Sequence, residues 1–431
     1  MRGLRFVGRA AILTVFVLSS LAARAGDGKI HRMPEKVPNS YIVMLYKGQH
    51  ADAIGPELEK RHGGKVEAIM KELDMFSIQL PNEAAAEGIA HDPRVAEVQE
   101  DGILHVQGCD RPLDPSGSQW ALGHLNYPMV SSSFSDQPGV SINLFRVYII
   151  DGAINPSWCV PSTDLTIQPS GNSKVQETQN FVESPGSRPG FIQIPSVSSI
   201  SSHGTAVASV LAGNTYGVVP ELLGIVSLVV VNDANGTATD NAVLQAGNYA
   251  IATHPAGHPA VANVSLGAQA GDDALDSTLT KMVDNGIFVA AAAGNGDPSS
   301  HYGTDACSSS PGRVGGTSRY PGLMVVGATD YDGYPTTYSN FGACVDTWTP
   351  GGDSYYHQLA TSVGSGWGTS FAAPEVAGAA VLLYSSYPSW TPADVWSQLK
   401  YLESYWNRGV RTLLILGCNS YCTCPPPGPT Q

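Results

Sequence analysis

The chain has 431 residues, 42% of them hydrophobic and only 14% charged, with 47 glycines and 30 prolines. That balance fits a compact, loop-rich α/β protein of two or three domains and excludes a disordered or coiled-coil chain. A net charge of −14 speaks against nucleic acid as a partner, because such binders need a basic face.

In chain order, Arg2, Arg5 and Arg9 precede AAILTVFVLSSLAA, and Ala23-Arg24-Ala25 offers a small-x-small cleavage site. Residues 1–25 read as a secretory signal peptide. The apolar run is short for a membrane span, and no later segment reaches the roughly 18 apolar residues that a span needs. The mature chain is therefore expected to be secreted, with no membrane partner.

Residues 26–108 form a second unit with its core at 38–107. YIVML reads as a strand, ADAIGPELEKRHGG as a helix closed by glycines, KVEAIMKEL and MFSIQL as strands, EAAAEGIAHD as a helix and RVAEVQED as a last strand. The order βαββαβ predicts a small α+β ferredoxin-like sandwich. From 109 the texture changes. FRVYII, LGIVSLVVV, AVANVSL, GIFVAAAA and LMVVGA are short apolar runs, with helical patterns at TAVASVLAG, NAVLQAGNYAIATH and DSTLTKMVDNG between them. Uniformly apolar strands between helices predict an α/β fold with a parallel sheet covered on both faces, spanning 109–418. In such sheets ligands bind at the carboxyl ends of the strands. The tail, 419–431, is too rich in proline to pack.

All seven cysteines follow residue 108. In an exported chain they read as disulfide partners with one left over. No histidine lies near Cys418, Cys422 and Cys424, which weighs against a zinc site.

Three stretches carry chemistry: Asp151 in IIDG, His203 in SSHGTAVASVLAG and Ser370 in GWGTSFAAPEVAG. A serine hydroxyl needs a base of near-neutral pKa, which histidine supplies. The imidazole in turn needs a carboxylate to hold its tautomer and support its charged form. Ser370 opens a helix, with Pro374 in the first turn where its missing N–H costs nothing. Its neighbouring backbone N–H groups suit an oxyanion. Asn295, in FVAAAAGNG at another strand end, can supply a further donor. Each motif alone has a plain structural reading: strand-end turn, core histidine, helix N-cap. The order Asp, His, Ser on one sheet makes coincidence a poor explanation.

HGT with VASVLAG, TYGVVPE, ANVSLGA, VAAAAGN, YSNFG with VDTWTPGG, and above all GTSFAAPEVAG make most of residues 38–418 resemble the subtilisin-like serine proteases, in their proteinase K and aqualysin-type branch. The resemblance implies that Asp151 orients the base, His203 is general base and acid, Ser370 is the nucleophile and Asn295 donates to the oxyanion. It implies that Ser265, Leu266 and Gly267 pair with one edge of a substrate backbone, that Asn235, Gly236 and Thr237 border the other, and that Ala292, Ala293 and Gly294 wall the main specificity pocket. Such strand addition reads backbone more than side chain, so broad specificity is expected.

Further implications of the resemblance are an inhibitory propeptide at 26–108, a Cys307–Cys344 disulfide and a structural calcium on Pro321, Leu323 and Asp346, with no cofactor for catalysis. Polypeptide substrates and the chain's own propeptide are the expected partners of a monomer. The sequence departs from the family in its Gly152-Ala153 pair after the acid, in Ala206 and Ser209, and in Phe371 and Glu375 after the nucleophile. A catalytically silent scaffold of the same fold and an esterase with the same triad are the alternative functions.

Overall fold

A computed structural model of the chain describes residues 30–107, 109–111 and 145–413, apart from 156–164, 168–169, 171, 183–202, 215–216, 221, 223, 233–234, 297–301, 317–319, 331–332, 353–356, 359–364 and 406–410. The signal-peptide reading and Cys159, Cys418, Cys422 and Cys424 lie outside the described residues. Among the described residues, no helix is long and apolar enough to cross a membrane.

Among the described residues, the large unit is built on a nine-stranded sheet. Its strand order is Val175–Asn180, Ile225–Val229, Arg146–Asp151, Ala260–Val264, Ile287–Ala292, Leu323–Thr329, Thr347–Pro350, Arg411–Leu413 and Glu403–Tyr405. The first eight run parallel and the last closes the edge antiparallel. Side chains alternate across a strand, and both faces are buried. Tyr148 and Ile150 pack with the helices Asp240–Thr253 and Asp273–Asp284. Val147 and Ile149 pack with His203–Ala212, Thr369–Ser386 and Pro392–Tyr401. That double burial is why the inner strands carry apolar runs, such as Val147 to Ile150, rather than an apolar residue at every other position.

The small unit has the expected βαββαβ order: Lys36–Leu45, Ala51–His62, Lys65–Met70, Met75–Gln79, Glu83–Ala90 and Val95–Val106. Its strand order is ferredoxin-like, with the last strand beside the first. The strand expected over KVEAIMKEL stops at Met70, and Lys71–Leu73 tighten into a 3₁₀ turn. Leu73 is thereby turned into the core shared with the large unit. One face of the small sheet is covered by its own helices through Tyr41, Val43, Phe76, Ile78 and Val98. The other face presents Ile42, Met44, Met70 and Met75 to the core of the large unit.

Polar contacts continue the seam. Gln99 Oε1 accepts from the N–H groups of Asp273 and Ala274 at 3.0 and 3.2 Å, capping that helix from the other unit. Asp101 accepts from the Asn241 N–H at 3.1 Å at the start of the helix Asp240–Thr253. Both contacts place an acceptor on the donor end of a helix.

Candidate active site

The strand Arg146–Asp151 lies inside the sheet and delivers Asp151, fully buried, to the carboxyl edge. His203 is the first residue of the helix His203–Ala212 and is 3% exposed. Its Nδ1 lies 2.7 Å from Asp151 Oδ1, which also accepts the Gly152 N–H at 2.6 Å. A neutral ring whose Nδ1–H donates a hydrogen bond to the carboxylate presents Nε2 as the acceptor, the form a general base needs. Gly204 lets the helix start so close to the acid, since a Cβ there would stand 2.2 Å from the Gly152 carbonyl oxygen. Thr205 Oγ1 accepts from the Asn155 N–H at 2.9 Å and donates to Ala153 O at 3.4 Å. The HGT stretch thus ties down the loop containing Gly152 and Ala153, and the carboxylate stays in line with the imidazole despite that departure.

Ser370 is fully buried in the first turn of the 18-residue helix Thr369–Ser386, and Pro374 lies inside that helix rather than in its first turn as expected. The N-cap, Gly368, has φ 136°, a region that disfavours side chains. The Ser370 hydroxyl donates to Ser265 O at 2.9 Å, and Ser265 Oγ donates back to Ser370 O at 3.0 Å. The Ser370 N–H points into the cleft and donates to Gln107 O at 2.9 Å. Asn295 Oδ1 accepts from both the N–H and the hydroxyl of Thr369 at 2.9 Å, which fixes the amide with its NH₂ as the donating side. Phe371 is fully buried with Ala206 and Val210, its ring 5.8 Å from that of His203. The large residue at 371 fills the space left by the small one at 206.

The residues expected to hold substrate hold a strand of this chain. Val95–Val106 runs antiparallel to Thr237–Thr239 on one side, with His105 opposite Thr237 and Leu104 opposite Ala238. On the other side it is antiparallel to Leu266–Gly267, with Val106 opposite Leu266. Val106 N–H donates to Gly236 O and Gln107 N–H to Ser265 O, both at 3.1 Å. Asn235 supports this edge from behind, its Oδ1 accepting from Thr237 N–H and Oγ1 at 3.2 and 2.8 Å. Beyond the cleft, Cys109–Arg111 pairs antiparallel with Ser365–Trp367, just before the Ser370 helix. The chain therefore enters between the two edge strands, crosses at Ser370 and leaves along a third strand.

Ala292 and Ala293 are buried, and Gly294 has φ 101°. Asn340 braces this wall: its Nδ2 donates to Ala293 O at 3.0 Å and its Oδ1 accepts from Thr304 N–H at 2.8 Å. Sequence reasoning gave no role to Asn340, Thr369 or Gln107. Asn340 lies in the YSNFG match and was findable there. Gln107 carries no local signal and emerges only from the strand pairing.

At the set expected to hold calcium, Pro321, Leu323 and Asp346, the two carboxylate oxygens of Asp346 accept from Gly316 N–H at 3.0 Å and Val325 N–H at 2.9 Å. The carboxylate thereby ties the segment at Gly316 to the strand Leu323–Thr329. Burial pushes Asp346 up to about 6. Among the described residues, His31, Glu97 and Asp273 form a group that could hold a metal. There His31 Nδ1 contacts Glu97 at 3.1 Å and Asp273 at 2.7 Å, and Arg313 pairs with Asp273. Cys307 and Cys344 are joined by a disulfide, with Cα atoms 5.3 Å apart.

The profile of the Subtilase family matches residues 147–415. Subtilisin E of Bacillus subtilis (strain 168) is 29% identical over 350 residues, covering 80% of this chain and 79% of that one. An extracellular serine proteinase of Thermus sp. (strain Rt41A) is 28% identical over 394 residues, covering 85% of each. The crystal structure of a cold adapted subtilisin-like serine proteinase superposes with TM-score 0.50 at 25% identity, covering 69% of this chain and 98% of that one.

Proposed function

The chain belongs to the subtilase family and is a serine-type endopeptidase, and on that premise we propose that it is made as a secreted zymogen that cuts itself between Gln107 and Gly108. The observation that carries this reading is the path of the chain across the cleft, with the Gln107 carbonyl oxygen 2.9 Å from the Ser370 N–H. Residues 26–107 are then an inhibitory propeptide and the peptidase begins at Gly108, one residue earlier than the composition change at 109. The extracellular relative from Thermus supports secretion.

In this reading Ser370 Oγ turns from the Ser265 carbonyl toward His203 and attacks the Gln107 carbonyl carbon while its proton passes to His203 Nε2. Asp151, bonded to Nδ1, stabilises the imidazolium that forms. The carbonyl electron pair moves onto oxygen, where the Ser370 N–H and the Asn295 amide meet it. The intermediate collapses, the C–N bond to Gly108 breaks, and His203 returns its proton to the leaving amine. Water then attacks the Gln107 acyl ester, gives a proton to His203, and leaves a Gln107 carboxylate and a restored serine. The strand Val95–Val106 still adds to both edge strands after the cut, so the released unit remains an occupant of the cleft. Peptides in solution take the same path once it leaves.

A phosphonate that reacts with activated serines separates this reading from a silent scaffold. Labelling of Ser370 in processed protein, lost when the protein is denatured beforehand, is the expected result. Processed protein that takes no label contradicts the reading. An esterase would turn over ester substrates and leave peptides intact.

A further inference from the structure

The reading of Gln107 as the residue on the acyl side of the cut leads to a narrower one, which rests on it. Gln107 is 4% exposed, and each polar atom of its side chain is placed. Its Oε1 accepts the backbone N–H of Asn295 at 3.0 Å. Its Nε2 donates to His105 O at 3.0 Å, within the same strand, and lies 3.5 Å from Gly267 O on the edge strand. Strand addition needs none of these contacts, since the ladder runs through backbone groups alone. Two residues upstream of Val106, Leu104 is fully buried among apolar side chains of the large unit that include Ala238, Leu266 and Ala268.

We propose that the main pocket of this peptidase is a carboxamide-recognising site, and that the enzyme prefers substrates with glutamine before the scissile bond and a leucine three residues upstream of it. The selectivity follows from donors and acceptors. The pocket offers one N–H, from Asn295, and one carbonyl, from Gly267, while the substrate's own backbone adds the His105 carbonyl. A carboxamide meets all three, because it carries an acceptor and a two-proton donor. A glutamate carboxylate has no donor and would face two carbonyl oxygens. A methionine has the same length but leaves the Asn295 N–H covered and without an acceptor, the costly kind of mismatch. Leu104 supplies the apolar anchor of the same segment. The breadth expected of strand addition is thereby narrowed at two positions and kept at the others.

The test uses the processed enzyme and fluorogenic peptides of the form Leu-His-Val-Xaa-Gly-Ser, with Xaa glutamine, methionine, glutamate, leucine or phenylalanine. The proposal predicts kcat/KM for glutamine about tenfold above methionine, the size of one hydrogen bond lost in a buried site. It predicts a larger deficit for glutamate at pH 8. Replacing the peptide's leucine by serine should lower kcat/KM for the glutamine peptide by at least about tenfold, the transfer cost of one buried leucine. Equal or faster cleavage of the leucine or phenylalanine peptide overturns the carboxamide site while leaving the peptidase reading intact. Cleavage of none of the peptides by untreated enzyme, when a parallel sample of the same preparation takes the phosphonate label at Ser370, also overturns the preference, whereas failure of both labelling and cleavage overturns the peptidase reading beneath it.

Discussion

Replacing Thr369 by valine removes one hydroxyl and keeps the shape of the side chain. That hydroxyl donates to Asn295 Oδ1 at 2.9 Å and accepts from the Gly294 N–H at 3.2 Å, while the Thr369 N–H, which valine retains, also holds Oδ1 at 2.9 Å. Asn295 therefore loses one of two tethers. A net hydrogen bond is worth about 1 kcal/mol, so the amide spends less time facing the oxyanion and kcat should fall roughly fivefold to tenfold. KM should move little, because the contact tightens only as charge develops on the oxygen. Asn295→Leu, which deletes the donor, should lower kcat on the order of 100- to 1,000-fold. If Thr369 acts through Asn295, the double variant loses no more than Asn295→Leu alone. The assay is steady-state peptide cleavage, normalised by active-site titration. Costs that add in the double variant would show that Thr369 acts by another route and refute the reasoning.

Three other outcomes are expected. Burial works against charge on His31, but its hydrogen bond to Asp273 and the Asp273 and Glu97 carboxylates outweigh it and raise its pKa. Burial and the Asp273 carboxylate push Glu97 up to about 7. The hold contributed by charged His31 is complete below its ordinary value and lost as pH rises through the raised one. The penalty on ionised Glu97 grows from its ordinary value up to about 7, while Asp273, lowered by Arg313 against the effect of burial, acts only at acid pH. The cleaved propeptide should therefore dissociate on the order of tenfold more readily at pH 8 than at pH 5, as read from the pH dependence of inhibition, and Glu97→Gln should flatten the curve. An unchanged or inverted curve in the parent would refute this. Lys174 is buried and its ammonium donates to Ala212 O at 2.7 Å, to Asn214 Oδ1 at 2.5 Å and to Pro220 O, closing the helix that His203 opens. Lys174→Met strands those acceptors and should cost about 3 kcal/mol, seen as a lower melting temperature in a Ser370→Ala background; an unchanged temperature would contradict it. The resemblance to subtilisin-like proteases implies a methionine where Phe371 stands beside the nucleophile, so peroxide should inactivate this enzyme more slowly than methionine-bearing relatives, and equal rates with oxidation mapped next to Ser370 would argue otherwise.

Much of the fold was legible because double burial leaves a plain mark. Val147, Ile149 and Ile150 are apolar in succession, and the strand they predict ends at Asp151 as expected. His203 and Ser370 open their helices as their motifs suggested. Less legible were features decided by distant partners. The edge strand Val175–Asn180 is polar, with alternate residues exposed, and reads locally as a loop. The turn at Lys71–Leu73 depends on a core that Leu73 shares with the other unit. The tethering of Asn295 by Thr369 joins residues 74 positions apart, and the seating of Gln107 depends on Ser265, Asn295 and Ser370 together. The two backbone amides that Asp346 holds, from Gly316 and Val325, likewise come from residues distant in the chain.

The central claim is that this chain cuts itself between Gln107 and Gly108 with Ser370. N-terminal sequencing and intact-mass measurement of the secreted protein, beside a Ser370→Ala variant made with no other protease present, test it directly. The parent should begin at Gly108, and the variant should keep residues 26–107 joined to the rest. A variant processed at the same bond and rate as the parent, or a parent that stays whole while folded and secreted, would contradict it.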